Sequence, residues 1–252
     1  FFSPPTPPPP IPLRLVGSEM CIRDSMNTDK SRRSFFATLA LGVSASAFPM
    51  MVKEFNEMEN IPELKDIDVT EADAWFINNI KGSHRIAYDG STPHNGLPII
   101  WNWAFYKSNN QTGSPDSDIT AMTVLRHTAI AYAFNSDIWN KYPIGKVFGI
   151  NDNSTGKPSL RNTVYEPQEG DFPPLGIDGI KRMQERGALF CVCNLAISVY
   201  SGVIANQMQL DPKKVQEEMI AGVLPGIQLV PSGVWALGRA QENGCGYIFA
   251  GN

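Results

Sequence analysis

From residue 84 onward the chain switches hydrophobic period repeatedly, from two to about 3.6 and back, and that alternation limits the folds open to it. HRIAYD (84–89) reads as a short strand, and residues 96–109 carry Ile99, Ile100, Trp103 and Ala104 at helical spacing. ITAMTVLRH (119–127) is a second strand, followed by a helical pattern through Tyr142. Residues 177–186 read as a helix stopped by Gly187, 188–193 as a strand, and 194–209 as a helix. Asp211-Pro212 opens another helix in the favoured cap-then-proline order. Residues 227–231 form a strand, Ser232 caps a helix running to 243, and 246–250 form the last strand. Strands that alternate with helices require right-handed crossovers, so the expected fold is α/β. It has a mainly parallel sheet of about five strands with helices on both faces.

Two stretches fall outside this rhythm. Residues 48–69 are polar and read as an N-terminal arm leading to a helix over 71–81. There Thr70 is the expected cap, Asp73 lies at N3, and Trp75, Phe76 and Ile80 make the apolar stripe. Residues 143–176 are dense in Pro and Gly and read as a long insertion, either functional or wrapped on a subunit interface, with disorder as the plain alternative. The aromatics of WNWAFY (101–106) surround most of one helix and suit a core or an oligomer interface better than a cofactor box.

The front of the chain reads as processing signals. FFSPPTPPPPIPLRLVGSEMCIRDS (1–25) is taken as a non-native leader, with Met26 as the native start. In 26–47 the cations Lys30, Arg32 and Arg33 precede an apolar run too short to be a lasting membrane anchor, and Ala45-Ser46-Ala47 offers a cleavage site. SRRSFF (31–36) resembles the twin-arginine export signal. The expectation is a protein carried by the twin-arginine export machinery, cleaved near Ala47, and working in the periplasm or otherwise outside the cytoplasm, with no permanent membrane anchor. From residue 48 on there are 16 Lys and Arg against 22 Asp and Glu, a net charge of −6. That acidity argues against nucleic acid as a partner.

Ligand sites in a parallel α/β sheet lie beyond the carboxyl ends of the strands. That rule gathers Asp89 after the first strand, Arg126 and His127 after the second, Cys193 after the third and Ser232 after the fourth, with His94 on the first loop and Asn194 opening a helix. Cys193 has the strongest claim to chemistry. A thiol at a helix start faces unpaired N–H groups, and such positions lower thiol pKa values, the more so beside a cation such as Arg126 or His127. The competing reading is a small buried hydrophobe.

The remaining cysteines suggest less. Cys191 and Cys193 are too close along a strand to form a disulfide, and Cys245 belongs to the opposite sheet edge, so three free thiols are expected. A mixed His94, His127 and Cys193 metal site is geometrically conceivable, but C-x-C is a weak zinc motif, and neither metal nor cofactor is assigned. No nucleophile elbow, phosphate loop or dinucleotide glycine fingerprint is present in the sequence.

GIKRMQERGALFCVCNLAIS (179–198) followed by GIQLVPSGVWALGRAQENGCGYIFAG (226–251) resembles the DsrE/DsrF-like sulfur-relay family. The likeness spans roughly residues 83–250, interrupted by the insertion 143–176, and is best over the last 75 residues. It implies a DsrE-like domain over 83–252, of three-layer, flavodoxin-like type, following an arm and helix at 48–82. It further implies a homo-oligomer, trimeric or hexameric, that handles small sulfur species or a small ligand. The family's reactive cysteine follows the third strand, a place only Cys193 fits; Cys191 lies inside the strand. By this resemblance Cys193 is the nucleophile or sulfur carrier, His127 its proton partner and Arg126 the stabiliser of negative charge. Asp89, His94, Asn194 and Ser232 line the site. The alternative on the same fold is a non-catalytic subunit that binds a small ligand, a metal or another protein.

Overall fold

Because a parallel sheet must be covered on both faces, the strand sequences decide the architecture. The computed structural model describes residues 61–252; the leader, the signal and the start of the arm lie outside the described residues. Five strands, β1 (His84–Gly90), β2 (Ile119–Leu125), β3 (Leu189–Cys193), β4 (Ile227–Val230) and β5 (Gly246–Phe249), form one sheet in the order β4-β3-β2-β1-β5. Every pairing is parallel. Eight α-helices accompany them among the described residues: α1 (Val69–Asn79), α2 (Leu97–Gln111), α3 (Ser136–Lys141), α4 (Ile144–Val147), α5 (Ile180–Glu185), α6 (Asn194–Met208), α7 (Pro212–Ala221) and α8 (Gly233–Glu242). Among the described residues no helix is long and apolar enough to cross a membrane.

Side chains alternate between two cores, as the pleat demands. Ile86, Tyr88, Ala121, Leu125, Phe190 and Val192 join the larger cluster, together with α2 and α6. Ala87, Met122, Val124, Cys191 and Val230 meet Phe76 of α1 and Ala236, Leu237 and Ala240 of α8 in the smaller one. The α/β architecture is therefore three-layered. From β1 to β4 the chain steps in one direction. The β4 connection then returns across the opposite face through α8 and sets β5 beside β1. The connections after β3 and β4 thus part to opposite faces, the arrangement that opens a crevice at the carboxyl edge of a sheet.

Local chemistry accounts for most boundaries. Asp211 caps α7 through its carboxylate on Lys213 N–H, with Pro212 at the first helical position. Ser232 caps α8, its Oγ accepting from Trp235 N–H at 3.2 Å. Two expectations are corrected. α1 is capped by Asp68, whose Oδ1 accepts from Thr70 and Glu71 N–H, so the helix starts before Thr70. The helical pattern after β2 splits into a 3₁₀ segment, His127–Ala133, and the short α3. Tertiary pairing is the cause: Phe134 bridges Val223, Ala133 C=O accepts from Leu224 N–H, and Asn135 N–H donates to Gly222 C=O. Those bonds hold Phe134 extended and interrupt the helix.

The insertion 143–176 folds around two residues. Arg161 forks onto Asp171 at 2.8 and 2.7 Å and reaches Asp152 at 3.3 Å. Asn162 is buried, donating to Tyr132 and Phe134 carbonyls and accepting from Val164 and Tyr165 N–H. Asn162 thereby fastens the insertion to the core, while the Arg161 ion pairs join parts of the insertion to one another. Within the insertion the backbone approaches closely at Gly145, where a Cβ would overlap the Ser159 backbone. Gly145→Ala is expected to destabilise the protein by about 1–3 kcal/mol through overpacking. The measurement is a lower urea midpoint with an unchanged slope.

Candidate functional site

The carboxyl edge of the sheet brings most of the sequence-derived residues together. Asp89, near the end of β1, points to the α8 face of the sheet and accepts two hydrogen bonds from Arg126, Nε to Oδ1 at 2.5 Å and an Nη to Oδ2 at 2.9 Å. Tyr247 of β5 adds its hydroxyl to the same Oδ2 at 2.9 Å. The Asp89 side chain is 3% exposed and that of Arg126 22%. Burial works against the guanidinium's charge, but the hydrogen bonds and charge of Asp89 outweigh it and hold the Arg126 pKa above its ordinary value. The arginine stem lies against Gly233 at the start of α8, where a Cβ would collide with it.

Cys193 ends β3 and is itself the N-cap of α6: its Sγ accepts from Ala196 N–H at 3.3 Å. Ser, Thr, Asp and Asn are the usual caps, because a neutral thiol is a poor acceptor. Gly233 N–H, the first amide of α8, also bears on this sulfur, and so does Leu195 N–H. The Leu195 amide is shared with the Pro231 carbonyl at 3.3 Å. The N-termini of two helices on opposite faces of the sheet therefore meet at one sulfur, with Arg126 close enough to act on it electrostatically.

The expected lowering of this thiol's pKa is not what the structure gives. Cys193 is 5% exposed. Burial, the largest influence, raises its pKa above the ordinary thiol value; the amides of Ala196 and Gly233, the charge of Arg126 and the amide of Leu195 pull it down without cancelling the effect. The resting group is a neutral thiol. Burial also raises Cys191, and pushes Cys245 up to about 11 against the opposing pull of Arg85. The three cysteines among the described residues are free and buried.

His127 stands beside this centre with a left-handed backbone, φ 49°. Its Nε2 lies 3.3 Å from the Tyr200 hydroxyl, and the rings meet edge to face at 5.8 Å. Burial raises the Tyr200 pKa, and the charge of Cys193 adds to that, which places the phenol within electrostatic reach of the sulfur. Tyr200 and Tyr247 were not identified from sequence. Tyr200 had a signal, since it lies seven residues after Cys193, two turns along α6 on the same face. Tyr247 had none, because its partner Asp89 belongs to a strand 158 residues earlier.

The other expected residues have separate tasks. Asn194 is buried and donates to the Lys65 carbonyl at 2.8 Å, tying the arm to the start of α6, while its Oδ1 has no hydrogen-bond partner. Ser232 is spent as the α8 cap. His94 places its Nδ1 3.3 Å from Ala250 C=O, whose own amide donates to Asp89 C=O, and its ring meets Trp101 edge to face. Among the described residues no group of three or more His, Cys, Asp or Glu is placed to hold a metal ion, so the mixed His94, His127 and Cys193 set is not assembled.

Compared with known protein families, with curated proteins and with solved structures, the chain finds no match.

The buried Asp89–Arg126 pair yields a test of how the edge is held. Asp89→Ala leaves a partly buried guanidinium uncompensated and is expected to cost about 3–5 kcal/mol in urea denaturation. The double variant Asp89→Ala/Arg126→Met should recover part of that loss; additive losses would mean that the two groups are not coupled.

Proposed function

We propose that the protein is an exported, DsrE-like carrier of sulfane sulfur, with Cys193 as the sulfur-bearing residue. One observation carries this reading: backbone N–H groups from two helix starts and the charge of Arg126 converge on a sulfur that, as a neutral thiol, makes little use of them. An anionic sulfur would use all of them. A hydropersulfide is a stronger acid than a thiol, so the cradle suits Cys193–S–S⁻ better than the resting Cys193–SH.

The transfer is balanced without an outside oxidant. Cys193 gives up its proton to His127 and attacks the outer sulfur of a donor persulfide, R–S–SH. The donor's S–S bond breaks as the new one forms, and R–S⁻ leaves and takes a proton back from His127. In the reverse direction an acceptor thiolate removes the outer sulfur. Arg126 stabilises the negative charge on the sulfur at each stage, and Asp89 and Tyr247 hold Arg126 in place. Export through the twin-arginine route and assembly as a trimer or hexamer belong to the same reading and rest on SRRSFF and on the family resemblance.

A second reading is favoured by the burial of Cys193. In it the protein is a non-catalytic binding subunit in which Cys193 is packing.

Two experiments divide these readings. The folded protein, incubated with a small-molecule persulfide and digested, should carry one added sulfur on the Cys193 peptide, and Arg126→Met should slow that loading roughly tenfold, equivalent to about one pKa unit at the sulfur. Native alkylation of unloaded Cys193 should be slow at neutral pH and climb through and beyond the ordinary thiol range near about 8.5, because the folded pKa is raised. A Cys193 that takes no sulfur and no label until the chain unfolds leaves the binding-subunit reading. For export, Arg32→Lys/Arg33→Lys should retain the uncleaved protein inside the cell, seen as an intact N-terminus by mass spectrometry; unchanged export would refute the twin-arginine assignment.

A further inference from the structure

A buried thiol that reacts needs a path for its proton. Cys193 is 5% exposed and Tyr200 1%, whereas His127 is only part-buried. The Cys193 Sγ accepts from Ala196 N–H at 3.3 Å, so the sulfur lies over the first turn of α6. Tyr200 stands four residues after Ala196, and long helical side chains lean back toward the helix start onto the residue four before. The phenol is thus set on the sulfur's side of α6, and its hydroxyl lies 3.3 Å from His127 Nε2. Phe148, from the insertion, packs edge to face on the Tyr200 ring at 4.9 Å, an apolar neighbour that cannot carry a proton.

The protonation state of His127 follows from its other nitrogen. Nδ1 lies 3.4 Å from Thr128 Oγ1, and that buried hydroxyl donates to the Ser91 carbonyl, also at 3.4 Å. A carbonyl can only accept, so the Thr128 proton is committed to it and Oγ1 is left to accept from His127. Nδ1 therefore carries the imidazole proton, and Nε2 is the basic nitrogen that accepts from the Tyr200 hydroxyl. Burial, and then the charge of Cys193, raise the Tyr200 pKa, so the phenol keeps a proton to give.

We propose that Tyr200 relays the proton between Cys193 and His127, with His127 neutral, protonated on Nδ1 and basic at Nε2. As the thiol ionises, its proton passes to the Tyr200 oxygen while the Tyr200 proton passes to Nε2. The phenol ends as it began, Cys193 becomes a thiolate and His127 an imidazolium; the return runs the same two bonds in reverse. His127 is the more exposed end, so the relay connects a buried sulfur to the solvent side. It rests on the reading of His127 as the proton partner of Cys193.

The first test is the tautomer, read by nitrogen NMR of the isotope-labelled full chain at about pH 8, above the ordinary histidine pKa near about 6.5. His127→Gln assigns the signals by their loss. Nε2 should resonate as a bare nitrogen and Nδ1 as a protonated one. Tyr200→Phe keeps the ring and loses only the hydroxyl. With a small-molecule persulfide it should load Cys193 about a hundredfold more slowly, yet to the same final extent, because a relay alters a rate and not an equilibrium. Native alkylation of Cys193 should slow likewise. A protonated Nε2, undiminished rates in Tyr200→Phe, or slower loading to a lower final extent, the mark of a packing role, would each overturn the relay. The tautomer is read on the unmodified protein, so refutation stays possible should Tyr200→Phe not fold. If unmodified Cys193 is alkylated but takes no sulfur, and Tyr200→Phe slows the alkylation, the sulfur reading fails and the relay stands. If it reacts with neither reagent, both fail.

Discussion

The Asp89–Arg126 pair is what the carboxyl edge is built on. β1 and β2 lie side by side, yet their loops leave toward different neighbours, and the two-pronged bond between carboxylate and guanidinium joins the strand ends where backbone pairing stops. Its geometry determines what surrounds it. Gly233 must lack a side chain because the Arg126 stem occupies that space, and Tyr247 reaches back from β5 to donate to Asp89 Oδ2 beside Arg126. A buried ion pair of this kind contributes little net stability relative to an apolar pair of similar volume. Its evident use here is positional: it delivers a fixed positive charge to the place where two helix N-termini converge on Cys193.

Backbone strain is concentrated at the same edge. Among the described residues four non-glycine residues have positive φ, and three of them, His94, Asn95 and His127, lie in the loops that follow β1 and β2. The fourth, Gln209, is the ordinary left-handed cap of α6. Positive φ costs a residue with a Cβ free energy and persists only where its surroundings enforce it. For His127 that enforcement turns the ring onto Tyr200, and for His94 onto Ala250 and Trp101.

Cys193 illustrates two influences that sequence position cannot weigh against each other. Its place at a strand end and helix start is legible, and the amides and the cation are present as that place requires. How deeply the sulfur is buried is not legible. The start of α8, Arg126 after β2 and the first turn of α6 all stand around it, and they come from segments far apart in the chain. Desolvation of a thiolate is large enough to outweigh several oriented dipoles. The position that argues for an acidic thiol therefore holds one whose pKa is raised.

The sequence by itself determined the α/β class, the five parallel strands and nearly every helix, because period, cap and breaker are local properties of a few neighbouring residues. It also placed Asp89, Arg126, His127 and Cys193 at one sheet edge, since strand ends in a parallel sheet share a side. Only the tertiary structure decided the rest. It paired Arg126 with Asp89, divided the segment after β2 through pairing with the α7–β4 turn, and set His94 against Ala250 and Trp101. Each of these depends on contacts between residues distant in sequence, where partner, burial and charge balance arise from packing and leave no periodic trace in the chain.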